Sequence, residues 1–240
     1  MPSLSLAPAQ GQPKPKPLSR SQPPAPLLAP LPWAVWLLVL PIIATELAFW
    51  AGAQGLVARP QASLWRVQAQ EWVAVSPALQ GWMWEAGQFQ PRNLARYLLF
   101  GLVQAGPAQA ALVVVIIAAL GKHCAERLGN ARLLGMVLVA QAGGAVIFGL
   151  VAGGGALLIG GTALIFALAG CFAAITWREA ESRRALWVAL ALPIMLVGVR
   201  LGLAVYTGGM VWLADITACM IALALAHLAR PGLLIRLRRR

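Results

Sequence analysis

Acidic residues are scarce in this chain: 7 Asp and Glu stand against 19 Lys and Arg, and charged residues of both signs make up only 11% of the 240. A soluble domain carries charge on about a quarter of its residues, so this composition excludes an ordinary water-exposed surface. Cysteine and histidine are as thinly represented. The 3 cysteines, Cys124, Cys171 and Cys219, follow neither zinc-ligand nor disulfide-framework spacing. They read as small apolar fillers. The 2 histidines, His123 and His227, fall near expected span ends, which leaves no imidazole deep in the membrane to act as a base or ligand. Neither a metal nor a cofactor is expected.

What the chain has instead is apolar length. Hydrophobic residues make up 60%, and several runs reach the roughly 20 residues that cross a hydrocarbon core of about 30 Å. The expected class is an all-α integral membrane protein with six spans: about Trp33–Trp50, Tyr97–Leu120, Leu133–Val151, Ala156–Trp177, Ala185–Tyr206 and Met210–Leu228. Tryptophans bracket the first span, as interfacial belts do. A semi-polar stretch of about residues 51–92, with Trp65, Trp72, Trp82, Trp84 and Phe89, reads as a loop lying at headgroup level.

The net charge of +12 invites a nucleic-acid reading, but the cations lie in tails and short loops. Residues 1–32 form a Pro-rich basic tail that reads as disordered and polyproline-like. Residues 231–240 form a second basic tail, and the loops at 122–132 and 178–184 are basic too. The connections at 152–155 and 207–209 carry no charge. Six spans with both termini cytoplasmic satisfy the positive-inside rule at every short loop and put the Trp-rich loop outside. Nucleic acid is not an expected partner; membrane lipid is.

Within the fourth run, Gly160-Gly161-Thr162-Ala163 turns a glycine-rich start into a helix, and Ala163, Ala167 and Gly170 then recur at helical spacing. On the sixth, Ala214, Ala218 and Ala222 do the same. Small residues at such spacing let helices approach backbone-close in a bilayer, and packing is their plain reading. Polar groups inside spans are harder to dismiss, because a carboxylate at that depth needs a partner or water. Three charged side chains fall there: Glu46, Arg200 and Asp215. A helical hairpin brings Arg200 and Asp215 to similar depth, so an Asp215–Arg200 ion pair is expected, or an Asp215–Thr162 hydrogen bond. Glu46 competes for Arg200.

These motifs, taken with six spans, resemble the rhomboid family of intramembrane serine proteases (peptidase S54-like). Gly160-Gly161-Thr162-Ala163 lies over that family's Gly-x-Ser-Gly, and Ala214-Asp215 over its Ala-His, with Ala218 and Ala222 replacing glycines. Gln109 and Val113 fall over the His and Asn of its oxyanion hole. Arg96 corresponds to the arginine of a Trp-Arg pair, and Glu126-Arg127-Leu128-Gly129 resembles a Glu-containing turn. The likeness covers about residues 33–230.

The resemblance implies a site at Thr162 and Asp215 with its chemistry altered. A rhomboid uses a serine hydroxyl activated by neutral imidazole. Thr162 is β-branched, Asp215 lacks the two-nitrogen geometry, and Val113 offers no donor to an oxyanion, a loss worth about 10²–10³ in rate. The expected function is a pseudoprotease of a bacterial inner membrane that binds transmembrane segments of client proteins. Its rivals are an active endopeptidase using Thr162, an accessory subunit of a membrane complex, and a small transporter.

Overall fold

The computed structural model describes residues 30–57, 61–153 and 155–229. The chain divides into two units, residues 1–30 and 31–240, and everything below concerns the second. Most of the expected N-terminal tail and the whole of the 231–240 tail lie outside the described residues.

Among the described residues nine α-helices follow one another: α1 Trp33–Ala53, α2 Trp65–Val73, α3 Pro77–Ala86, α4 Pro91–Leu99, α5 Pro107–Leu128, α6 Asn130–Val151, α7 Thr162–Glu179, α8 Arg183–Thr207 and α9 Val211–Leu228. Six of them, α1 and α5 to α9, are long and apolar enough to cross a membrane. The protein is a multi-pass membrane protein with a six-span helical bundle. No strand occurs among the described residues; one antiparallel bridge joins Val75 to Leu158.

Three boundaries differ from the expected ones. The second span starts at Pro107, ten residues after Tyr97, because Gly106-Pro107 restarts the helix with proline at its first position. Tyr97 therefore belongs to α4, and Gln104 sits in the connection rather than inside a span. The helix continues through the basic stretch to Leu128 and turns at Gly129, whose φ of +85° suits glycine. The fourth span begins at Thr162, since Gly160 adopts φ +97° immediately before it. The Trp-rich stretch is not a plain loop: it holds α2 and α3, with α4 following, each of the last two opened by proline.

α7 occupies the centre. Ala163 to Cys171 are all buried, and most of α7 is enclosed whereas little of α8 is. α9 lies against both α7 and α6, which form the two most extensive helix pairs. Small residues make this approach feasible. A Cβ on Gly170 would stand 2.2 Å from the carbonyl oxygen of Cys219, and one on Gly144 of α6 would stand 2.4 Å from that of Ala214. Ala214, Ala218, Ala222 and Ala226 are completely buried, as are Ala163 and Ala167. The alanine face of α9 thus meets Gly144 of α6, while the adjacent Cys219–Leu223 backbone meets Gly170 of α7.

Cys124, Cys171 and Cys219 are free thiols buried in the core. Among the described residues no group of His, Cys, Asp and Glu could hold a metal ion.

Candidate functional site

The site forms where α7 begins. Gly161 precedes the helix without a side-chain cap, and its own N–H, which no helical bond uses, needs a partner from elsewhere. Oε1 of Gln104 supplies it at 2.9 Å, and Gly160 N–H donates to the Phe100 carbonyl at 3.0 Å. Gln104 is fully buried and its Nε2 donates to the Gly101 carbonyl at 2.8 Å. Gln109 and Val113 of α5 flank the same turn: a Cβ on Gly160 would lie 3.0 Å from Gln109 Nε2, and one on Gly161 would lie 2.7 Å from Val113 Cγ1.

Thr162 is the first residue of α7, and Asp215 sits one turn into α9, fully buried. The Thr162 hydroxyl lies beside the Asp215 carboxylate as a hydrogen-bonding neighbour; of the two carboxylate oxygens, Oδ1 is buried without a hydrogen bond of normal geometry among the described residues. The other oxygen is engaged: Arg200 Nε of α8 donates to Asp215 Oδ2 at 2.5 Å. Side-chain exposure is 22% for Arg200 and 0% for Asp215.

Glu46 is not bonded to Arg200. It pairs with Arg66 of α2 through two parallel bonds, Nη1 to Oε1 at 2.8 Å and Nη2 to Oε2 at 2.7 Å. The fork is the geometry that a guanidinium and a carboxylate favour, and hydrogen bonding to Glu46 raises the Arg66 pKa above its ordinary value. The same guanidinium donates to the Gln104 carbonyl at 3.0 Å and lies 4.9 Å from the Phe49 ring centre. A polar chain thus runs from Glu46 in the first span through Arg66 and Gln104 to Gly161 at the start of α7.

Sequence reasoning missed Arg66 and Gln104 as members of this arrangement. The legible signal was Glu46 itself, an acid within a span and needing a cation, with Arg66 offered by the following stretch. Arg96, matched above to a loop arginine, donates from Nη1 to the Glu71 and Ala74 carbonyls, both at 2.9 Å. It clamps α4 onto the end of α2, and burial, then neighbouring Arg92, lower its pKa. Gln80 of α3 ties that region to α6, donating to the Val146 carbonyl and accepting from the Tyr97 hydroxyl. The Val75–Leu158 bridge fastens it to the segment before Gly160.

The histidines stay away from Thr162. His123 stacks at a tilt on Phe172, 5.2 Å between ring centres, and Phe172 lies ten residues along α7, about 15 Å by helical rise. His227 lies twelve residues beyond Asp215, about 18 Å.

A family model, the rhomboid domain, matches residues 91–231, more than half of the chain and five of its six spans. The protein belongs to the rhomboid family. No curated relative matches the chain.

Proposed function

We propose that the chain is a rhomboid-family pseudoprotease of a bacterial inner membrane, which binds transmembrane segments of client proteins and retains, stabilises or helps assemble them. The observation that carries this reading is the Arg200–Asp215 contact at 2.5 Å. The residue placed where a hydrolase would keep its proton-accepting base is an acid already occupied by a guanidinium. Val113, which the resemblance sets over an oxyanion-hole donor, is aliphatic and packs beside Gly161. Neither histidine is near enough to take a proton from Thr162. What remains at the site is a polar cluster under a sparsely enclosed helix, α8, suited to holding a helix rather than to cutting it.

Purified chain in proteoliposomes, mixed with a fluorescent transmembrane substrate carrying a photocrosslinker, tests this. Crosslinking without cleavage is expected, and Thr162→Ala should leave the crosslink yield unchanged. Cleavage that disappears in Thr162→Ala would instead assign an active threonine endopeptidase. Purification in mild detergent with a stoichiometric, non-exchanging partner would assign an accessory subunit.

A further inference from the structure

Between α1, α2 and the connection from α4 to α5 lies a slot of about 530 Å³, within the roughly 300–1,000 Å³ that small-molecule sites occupy. Ala48 and Phe49 of α1, Trp65 and Trp72 of α2, and Val103 of the connection give it apolar walls, and Gln68 adds a side-chain amide. Phe49 stands one turn before the end of α1, about 6 Å by helical rise. The slot therefore opens near the end of the span and not at its middle.

Two of its aromatic walls carry guanidiniums. Arg66 lies 4.9 Å from the Phe49 ring centre, and its charge is matched by Glu46. Arg92 of α4 lies 3.9 Å from the Trp72 ring centre and forms no ion pair among the described residues. Arg96 follows one turn later on α4, close enough for the like charge of Arg92 to be felt. Glu71 gives Arg96 its backbone carbonyl and pairs its side chain with neither arginine. Stacking on Trp72 holds the Arg92 guanidinium in place and leaves the N–H groups at its edge free to donate.

Four occupants can be compared. An apolar helix would cover the walls but leave the two arginines without an anion. A free anion would meet the arginines and leave the walls uncovered. Phosphatidylcholine would do both, yet its quaternary ammonium adds a third cation beside two. An anionic phospholipid brings no cation: its phosphodiester oxygens accept a fork of bonds from a guanidinium, and its chains cover apolar walls. Basic pockets beside membrane helices bind anionic headgroups on these grounds.

We propose that the slot between α1 and α2 is a binding site for one anionic phospholipid, its phosphodiester on Arg92 and one acyl chain along Phe49, Trp65 and Trp72. The site uses neither Thr162 nor Asp215, so it stands whether the chain binds clients or cuts them. The bound lipid would bridge α4 to α1 across α2.

The test uses the full chain in phosphatidylcholine vesicles. The three native thiols are buried, so a fluorophore attached through Leu64→Cys, exposed and next to Trp65, reports on the slot. Quenching by phosphatidylglycerol with a nitroxide on its chain is compared with quenching by the matching phosphatidylcholine at the same low fraction. The anionic lipid should quench as if enriched about fivefold, the effect of one basic residue at an anionic headgroup. Arg92→Gln should bring the two lipids level. Arg92→Lys should keep only part of the preference, because an ammonium retains the charge without the fork. Ala69→Phe, which puts a ring into the slot, should weaken quenching by both lipids. A reporter at Val139→Cys, exposed on α6, should show no preference. Melting temperatures confirm that the variants are folded. If Arg92→Gln does not fold, Trp72→Leu decides, since the guanidinium then loses its platform and the preference should fall severalfold. Equal quenching by both lipids in the parent, the same preference at Val139, or a preference that survives Arg92→Gln would overturn the proposal. So would a Leu/Ala transmembrane peptide that displaces both lipids from the Leu64 reporter, which would assign the slot to a helix.

Discussion

Gly161 donates its backbone N–H to the side chain of Gln104, 57 residues upstream, at 2.9 Å. The start of α7 is therefore held by a connection that precedes α5, and not by a cap of its own. Gln104 uses both ends of its amide, since Nε2 reaches the Gly101 carbonyl. Gln104→Leu keeps the apolar bulk and leaves two backbone groups unpartnered in a dry site. A loss of about 1–3 kcal/mol is expected, read as a lower melting temperature in detergent. Gln109→Leu, half-buried beside the same turn, should cost less.

The same turn is sterically full. A Cβ on Gly161 would lie 2.7 Å from Val113 Cγ1, a distance that forces one of them to move. Gly161→Ala should destabilise by about 1–3 kcal/mol, and adding Val113→Ala should recover part of it. A double-mutant cycle reads the coupling directly. Strict additivity would show that the two residues are not in contact.

Backbone-close packing makes a different demand. An added methyl at Gly170 or Gly144 would meet a carbonyl oxygen of α9, at 2.2 Å and 2.4 Å, and a carbonyl cannot rotate away. Gly170→Ala and Gly144→Ala should each push α9 outward and lower stability by about 1–3 kcal/mol or more. Gly135→Ala in α6 meets nothing within 4 Å, so helix propensity alone should act there, neutral or stabilising by up to about 1 kcal/mol. Thermal unfolding of the three variants side by side checks the contrast.

Periodicity and charge made the six-span bundle readable, because a bilayer leaves few alternatives to long apolar helices. The depth at which Arg200 and Asp215 lie followed from counting residues across a hairpin. What escaped was of two kinds. Helix starts at Pro107 and Thr162 hang on single glycines and prolines inside apolar runs, where hydropathy barely changes. The partners Arg66 and Gln104 come from the irregular region between α1 and α5, whose path no periodicity describes. Glu46 announced that it needed a cation; which one depends on how α2 folds back, a tertiary fact. The alanine face of α9 was visible, whereas its second neighbour, Gly144, required knowing that α6 packs there.

The Glu46–Arg66 fork offers a test of that irregular region. Both side chains are mostly enclosed, 13% and 23% exposed, so salt should screen the pair only weakly. Arg66→Lys retains the charge but cannot hold two parallel bonds to Glu46 and a third to the Gln104 carbonyl. A loss of about 1.5–3 kcal/mol is expected, almost unchanged between low and moderate ionic strength. A loss that fades steeply with salt would place the pair in water.

The second ion pair makes a sharper prediction because its two single variants should be far more damaging than its double variant. Asp215→Asn leaves the Arg200 guanidinium without its anion; Arg200→Gln leaves a fully buried carboxylate without its cation. Removing one partner of a buried pair typically costs about 3–5 kcal/mol. The loss for Asp215→Asn should fall at the low end, since Arg200 is 22% exposed and its long stem can carry the charge toward the interface. The loss for Arg200→Gln should be larger, since Asp215 is short and has no such escape. Replacing both by Met and Leu removes the desolvation of two charges together, and stability should return to within about 1 kcal/mol of the parent or rise above it. Melting temperatures in one detergent rank the four proteins. If the double variant were as damaged as Arg200→Gln, the pair would be holding α8 in place through geometry that apolar side chains cannot imitate.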